Sequence, residues 1–170
     1  MKLLKSRRLT LILISFVLIF AFGIMTSVAQ EKVKIKAKRY YFATKTEVMK
    51  IDDTEGHIIE IGESKGVDVG SGDVSFSRSS FDLVKGNGTM QGYTTTMEPD
   101  GVNVRFTKAQ GKVTTTLSPA GKPIMTMEGT VSLIKGTGKW EGFQGGGTWK
   151  LKVIGEGISV MDWESEYTKK

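Results

Sequence analysis

The chain has 170 residues, with 24 Lys and Arg against 18 Asp and Glu, one His and no Cys. Without cysteine there are no disulfides and no thiol chemistry, and a single histidine cannot build an ordinary zinc site. The formal charge of +6 is no nucleic-acid footprint either: Lys2, Lys5, Arg7 and Arg8 supply four of the basic residues, and the remaining 20 against 18 leave no concentrated basic face.

Residues 1–29 read as a leader. Lys2 to Arg8 form a basic start, and Leu9 to Ile24 is an apolar run of about sixteen residues, short of the roughly twenty that span a bilayer. Ser27-Val28-Ala29 then offers small residues at a cleavage position, which predicts a mature chain starting at Gln30 and a periplasmic or secreted address. An uncleaved anchor is the other reading. Contact with a membrane is expected only through this segment. Protein recovered from the native host should therefore begin at Gln30 on N-terminal sequencing. An intact Met1 chain held in membranes would reverse that expectation.

After the leader, Lys32, Lys34, Lys36, Lys38 and Arg39 alternate with Val33, Ile35 and Ala37. This predicts a first strand with one solvated face, or an arm whose lysines discourage edge pairing; contact with an anionic lipid or polyanion is the alternative. Residues 30–54 are assigned to this arm and first strand, and residues 55–170 to the rest of a single domain. About 140 mature residues suit one domain with a core of its own.

Period-two alternation and β-branched or aromatic residues continue to the end of the chain. They predict strands near 40–51, 57–63, 74–84, 92–97, 102–107, 112–117, 125–134, 148–154 and 158–167. Turn residues separate most of them, as in Gly70-Ser71-Gly72-Asp73, Glu98-Pro99-Asp100-Gly101, Ser118-Pro119-Ala120-Gly121 and Gly155-Glu156-Gly157. Such short connections favour antiparallel neighbours. The fold class is all-β: an antiparallel up-and-down barrel of eight strands, or nine if every segment stands alone.

Alternation also assigns faces. Met161, Trp163 and Tyr167 share one side of the last strand, and Asp162, Glu164 and Glu166 the other, which places the aromatics inside. Trp149, Leu151 and Val153 likewise point in. In Val102-Asn103-Val104-Arg105-Phe106 the same rule turns the valines and Phe106 inward and Arg105 outward. Threonines at 94–96 and 114–116 put hydroxyls on both faces, through strand propensity or as a partly polar lumen.

One motif occurs twice. Val84-Lys85-Gly86-Asn87-Gly88-Thr89-Met90-Gln91-Gly92-Tyr93 is matched by Ile134-Lys135-Gly136-Thr137-Gly138-Lys139-Trp140-Glu141-Gly142-Phe143. Both read as hairpin tips, with glycines at positive-φ positions. On this reading Trp140 sits at a tip, away from any interior. The second copy, followed by Gly145-Gly146-Gly147-Thr148-Trp149, resembles the allene oxide cyclase barrel-like group, a relative of the dirigent barrels. Gly56-His57-Ile58-Ile59-Glu60, Gly92-Tyr93-Thr94-Thr95-Thr96 and Asp162-Trp163-Glu164-Ser165-Glu166-Tyr167 resemble further pieces of its small bacterial members. The resemblance covers roughly residues 55–167. It implies an eight-stranded barrel with a central cavity, and it carries over no activity, since the plant enzyme's acidic and cysteine site residues have no counterparts here.

Candidate chemistry is sparse. No Gly-x-Ser-x-Gly elbow is present, and the Gly-x-Gly pairs lack the third-glycine spacing and the helix of a dinucleotide loop. Glu60 and Glu128 are the acids that fall in otherwise apolar strands, where an interior carboxyl would have a raised pKa. The expectation is therefore an exported barrel that binds a small, mainly apolar ligand, with no cofactor, no metal and no nucleic-acid partner. His57, Tyr93, Phe106, Met161 and Trp163 are the residues expected to line its lumen. The alternatives are an isomerase or cyclase acting on a lipid-derived substrate through Glu60 or Glu128, and a filled structural barrel that works through its exterior, as a homo-oligomer or with another partner.

Overall fold

The structure is a computed structural model that describes residues 30–51 and 56–169. The leader expected over 1–29 lies outside the described residues, as does most of the first turn, 52–55.

The described chain forms eight antiparallel strands: β1 (Lys32–Lys50), β2 (His57–Asp68), β3 (Val74–Val84), β4 (Asn87–Met97), β5 (Val104–Leu117), β6 (Pro123–Gly136), β7 (Phe143–Gly155) and β8 (Ile158–Lys169). Each pairs with its sequence neighbours, and β1 pairs with β8 to close the barrel. Closure removes both free edges. The two segments expected at 102–107 and 112–117 are halves of one strand, β5, so the count is eight. Gly111, between them, leaves room on the inner wall: a Cβ there would lie 2.7 Å from Cζ2 of Trp149.

The basic segment Lys32 to Arg39 is part of a strand, not an arm. Its lysines lie on the outer face, opposite the acidic row of β8. Lys38 pairs with Asp162 (3.6 Å), and Lys32 and Lys34 both reach Glu166 (3.6 and 3.3 Å). Exposed pairs like these contribute little individually. As a row they mark the register, because a slip by one residue would turn Val33 and Ile35 outward.

The repeated motif does not repeat its geometry. In the first copy Lys85 and Gly86 have φ of 50° and 76°, the two positive values of a type I′ hairpin, and β4 starts immediately afterwards. In the second copy β6 runs to Gly136, with an irregularity in its pairing to β5 beside Ile134, and a single 3₁₀ turn, Gly138–Trp140, follows. That turn folds Trp140 back into the barrel. It is buried and meets Phe143 and Tyr167 edge-to-face, at centroid distances of 5.6 and 5.5 Å. Val33, Ile35 and Leu133 pack around the three rings. The expected hairpin-tip tryptophan is instead the plug of one barrel end, the end where the β2–β3, β4–β5 and β6–β7 connections gather.

Candidate ligand-binding lumen

Pairing fixes which residues look inward, since directly opposed residues share a face. Ile58 opposes Leu83, which is 2% exposed, so Ile58, Glu60, Gly62 and Ser64 line the inside of β2. The inner row of β3 includes Ser75, Ser77, Ser79 and Phe81, with Asp73 just before the strand, and that of β4 includes Gly92, Thr94 and Thr96. So many small inner residues cannot fill an eight-stranded barrel, which is just wide enough to be filled by large ones. A cavity of about 360 Å³ remains, within the roughly 300–1,000 Å³ typical of small-molecule sites.

Phe81, Met90, Met125, Met127, Leu151 and Met161 give the cavity its apolar wall, with Trp149 and Trp163 deeper in. Trp149 is fixed by its Nε1–H, which donates to the Thr130 carbonyl at 3.0 Å. Thr94 and Thr107 add hydroxyls to the lining, and Thr94 shares a 2.8 Å hydrogen bond with Ser77. Thr94 and Thr96 thus make part of the lumen polar, while Thr95, opposite Phe76 and Phe106, faces outward. The 114–116 run does not line the cavity.

Towards the plugged end the wall becomes ionic. Arg39 and Asp68, 4% and 2% exposed, form a two-pronged pair: Nε to Oδ1 at 2.6 Å and Nη2 to Oδ2 at 2.7 Å. Nη1 of Arg39 donates to the Tyr41 hydroxyl (3.2 Å) and to Thr96 Oγ1 (3.3 Å). Burial alone would lower the pKa of Arg39, but Tyr41 and Asp68 hold it above its ordinary value. Arg105, 3% exposed, donates from Nη2 to Asp73 Oδ2 at 2.5 Å. Its guanidinium lies 4.8 Å from the Trp140 ring centre and 5.6 Å from that of Trp163. The sequence carried a faint signal for this layer only at Asp68 and Asp73, on either side of Gly70-Ser71-Gly72; Arg39 stands beside Tyr40 and Arg105 between Val104 and Phe106, and nothing in the sequence pairs them with the aspartates.

Of the expected lining residues, Met161 and Trp163 face the cavity. The other three do not. His57 is on the outer face, its Nε2 2.8 Å from the exposed Asp82, because the inner side of β2 is the Ile58–Glu60–Gly62 row and not the Ile59–Ile61 row. Tyr93 is 58% exposed and opposes Arg78 and Lys108 on the outer wall. Phe106 also points outward, with the Lys135 ammonium 5.1 Å from its ring, because Arg105 takes the inner position. Together with Phe42 and Phe76, Phe106 belongs to an outer row in which the rings of β1, β3 and β5 alternate with Lys65 of β2 and Thr95 of β4.

The two candidate acids separate. Glu128 is on the outside, beside Lys150 at 3.7 Å. Glu60 lines the cavity, and its burial raises its pKa. It makes no hydrogen bond or ion pair with any described residue. Among the described residues no group of three His, Asp or Glu side chains could hold a metal ion, and no helix is long and apolar enough to cross a membrane.

No protein-family model matches the chain, and no curated protein matches it. Among solved structures, it is similar to that of a pterocarpan synthase dirigent protein, at 9% sequence identity and a TM-score of 0.48, over 83% of this chain and 90% of that one.

Proposed function

We propose that this chain is an exported barrel that holds a small, mainly apolar molecule in its lumen and performs no chemistry on it. The observation that carries the reading is the cavity of about 360 Å³ walled by methionines, Phe81 and Leu151 above two indoles. Burying a ligand there contributes about 0.8 kcal/mol per methylene before ordering is counted, enough for micromolar binding without a specific polar contact. The basic and apolar leader supports export. The resemblance to the allene oxide cyclase barrel-like group supports a barrel built around a cavity. Catalysis by Glu60 is the weaker reading, because no described residue stands ready to orient that carboxyl or to exchange a proton with it.

The test uses N-phenyl-1-naphthylamine, an uncharged dye that brightens in apolar surroundings. It should bind the folded protein. Binding should disappear in Ala109→Trp, which puts an indole into the cavity, and persist in Lys108→Trp, one residue away on the exposed outer face. If the dye brightens equally with both variants, its site is the outer row of Phe42, Phe76 and Phe106, and the reading in which the exterior carries the function replaces this one.

A further inference from the structure

Two buried arginines stand in the ionic layer of the lumen, and they are not equally satisfied. All three nitrogens of Arg39 have acceptors, in Asp68, Tyr41 and Thr96. Arg105 uses only Nη2, on Asp73. Its Nε and Nη1 are buried and meet no acceptor among the described residues, although the residue lines the cavity. The hydroxyl of Ser75 is likewise buried without a partner among the described residues. It lies nearby: Ser75 opposes Thr96, and Thr96 opposes Arg105, across β3, β4 and β5. Buried donors of a charged group are seldom left unmatched, since each unmade bond carries a substantial desolvation penalty.

We infer that the occupant of the lumen is an uncharged, mainly apolar molecule carrying a carbonyl-type acceptor oxygen, which it places on Arg105. This rests on the proposed binding function and specifies the ligand's chemistry. The donors call for an oxygen with free lone pairs. The charge count decides its type. Arg39 and Arg105 are balanced by Asp68 and Asp73, so the layer is already neutral, and a carboxylate would leave it with an uncompensated buried charge. Glu60, in the same cavity, adds a further carboxyl that would disfavour an anion. A ketone, ester or quinone oxygen satisfies the donors without changing the balance.

The experiment uses 2-decanone with a ¹³C-labelled carbonyl, together with decane and decanoate, each as a competitor of the bound dye. 2-Decanone should displace the dye, and the carbonyl stretch of the bound ketone should fall below its value in hexane. In Arg105→Lys, where one ammonium can still pair with Asp73 but no fork is left over, the stretch should return to the hexane value. In the wild-type protein, the Nε–H resonance of Arg105 should move downfield on adding 2-decanone and stay in place with decane, which decides the matter even if the lysine variant does not fold. A bound ketone with a hexane-like stretch and an unmoved Arg105 resonance overturns the inference and leaves the apolar pocket intact. Displacement by decanoate that is stronger than that by 2-decanone and is lost in Arg105→Lys overturns it in favour of an anion site. Failure of the dye itself to bind removes the pocket, and the inference with it.

Discussion

Asp68→Ala should lower the free energy of unfolding by about 3–5 kcal/mol, the range for removing one partner of a buried ion pair. Both carboxylate oxygens of Asp68 are engaged by Arg39, and Oδ1 also accepts from Trp163 Nε1 at 3.4 Å. Without the carboxylate, a guanidinium that is 4% exposed keeps only its bonds to Tyr41 and Thr96 and the neighbouring rings of Tyr41 and Trp163. It cannot escape by losing its proton, since arginine stays charged in proteins. Asp68→Asn retains one acceptor of the same shape and should lose less. Urea unfolding of the three proteins checks the order. Equal midpoints for wild type and Asp68→Ala would show that Arg39 reaches water, and that the ionic layer is not the sealed floor of the lumen.

The strands and their order were legible because two local signals agree: alternation of period two, and turn chemistry at each reversal. The faces were legible only where the lumen is lined by large apolar side chains. In β7 and β8, Trp149, Leu151, Met161 and Trp163 face the cavity as alternation requires. In β2, β4 and β5 the rule inverts. Around Gly62, Ser64, Thr94, Thr96 and Arg105 the inside of these strands is small or polar, so the apolar residues Ile59, Tyr93 and Phe106 lie on the outer wall. Arg105 is the sharpest instance. Read alone, an arginine between Val104 and Phe106 belongs to the solvent; it is buried because Asp73, 32 residues away, is there to meet it. No local pattern contains that pairing. The closure of the barrel, by contrast, was within reach of the sequence. Lysine at every second position in β1 complements acid at every second position in β8, and both rows were visible before any fold was assumed.

The second large effect is expected at Trp140, and a series of three substitutions in its loop tests the geometry. Trp140→Ala should lower stability by about 3–5 kcal/mol, as for other large aromatic truncations in a core. It removes the ring that Phe143, Tyr167 and the Arg105 guanidinium pack against, together with the Nε1–H bond to Glu98 at 2.8 Å. Gly138→Val should cost about 1–3 kcal/mol by backbone strain. Gly138 has a φ of +59°, and a Cβ there would collide with Asn103 Oδ1, the acceptor of the Lys139 backbone N–H at 2.7 Å. Lys139→Ala should stay within about 0.5 kcal/mol of wild type, as exposed substitutions do; its ammonium reaches Glu98 but is largely in solvent. The order Trp140→Ala, then Gly138→Val, then Lys139→Ala is specific to a loop that folds a tryptophan inward. A plain hairpin tip predicts the reverse for the first two, with the glycine change the more damaging and the tryptophan change nearly silent. Thermal or urea midpoints that follow that second order would place Trp140 outside the barrel, and the lumen would then lack the plug that closes its ionic end.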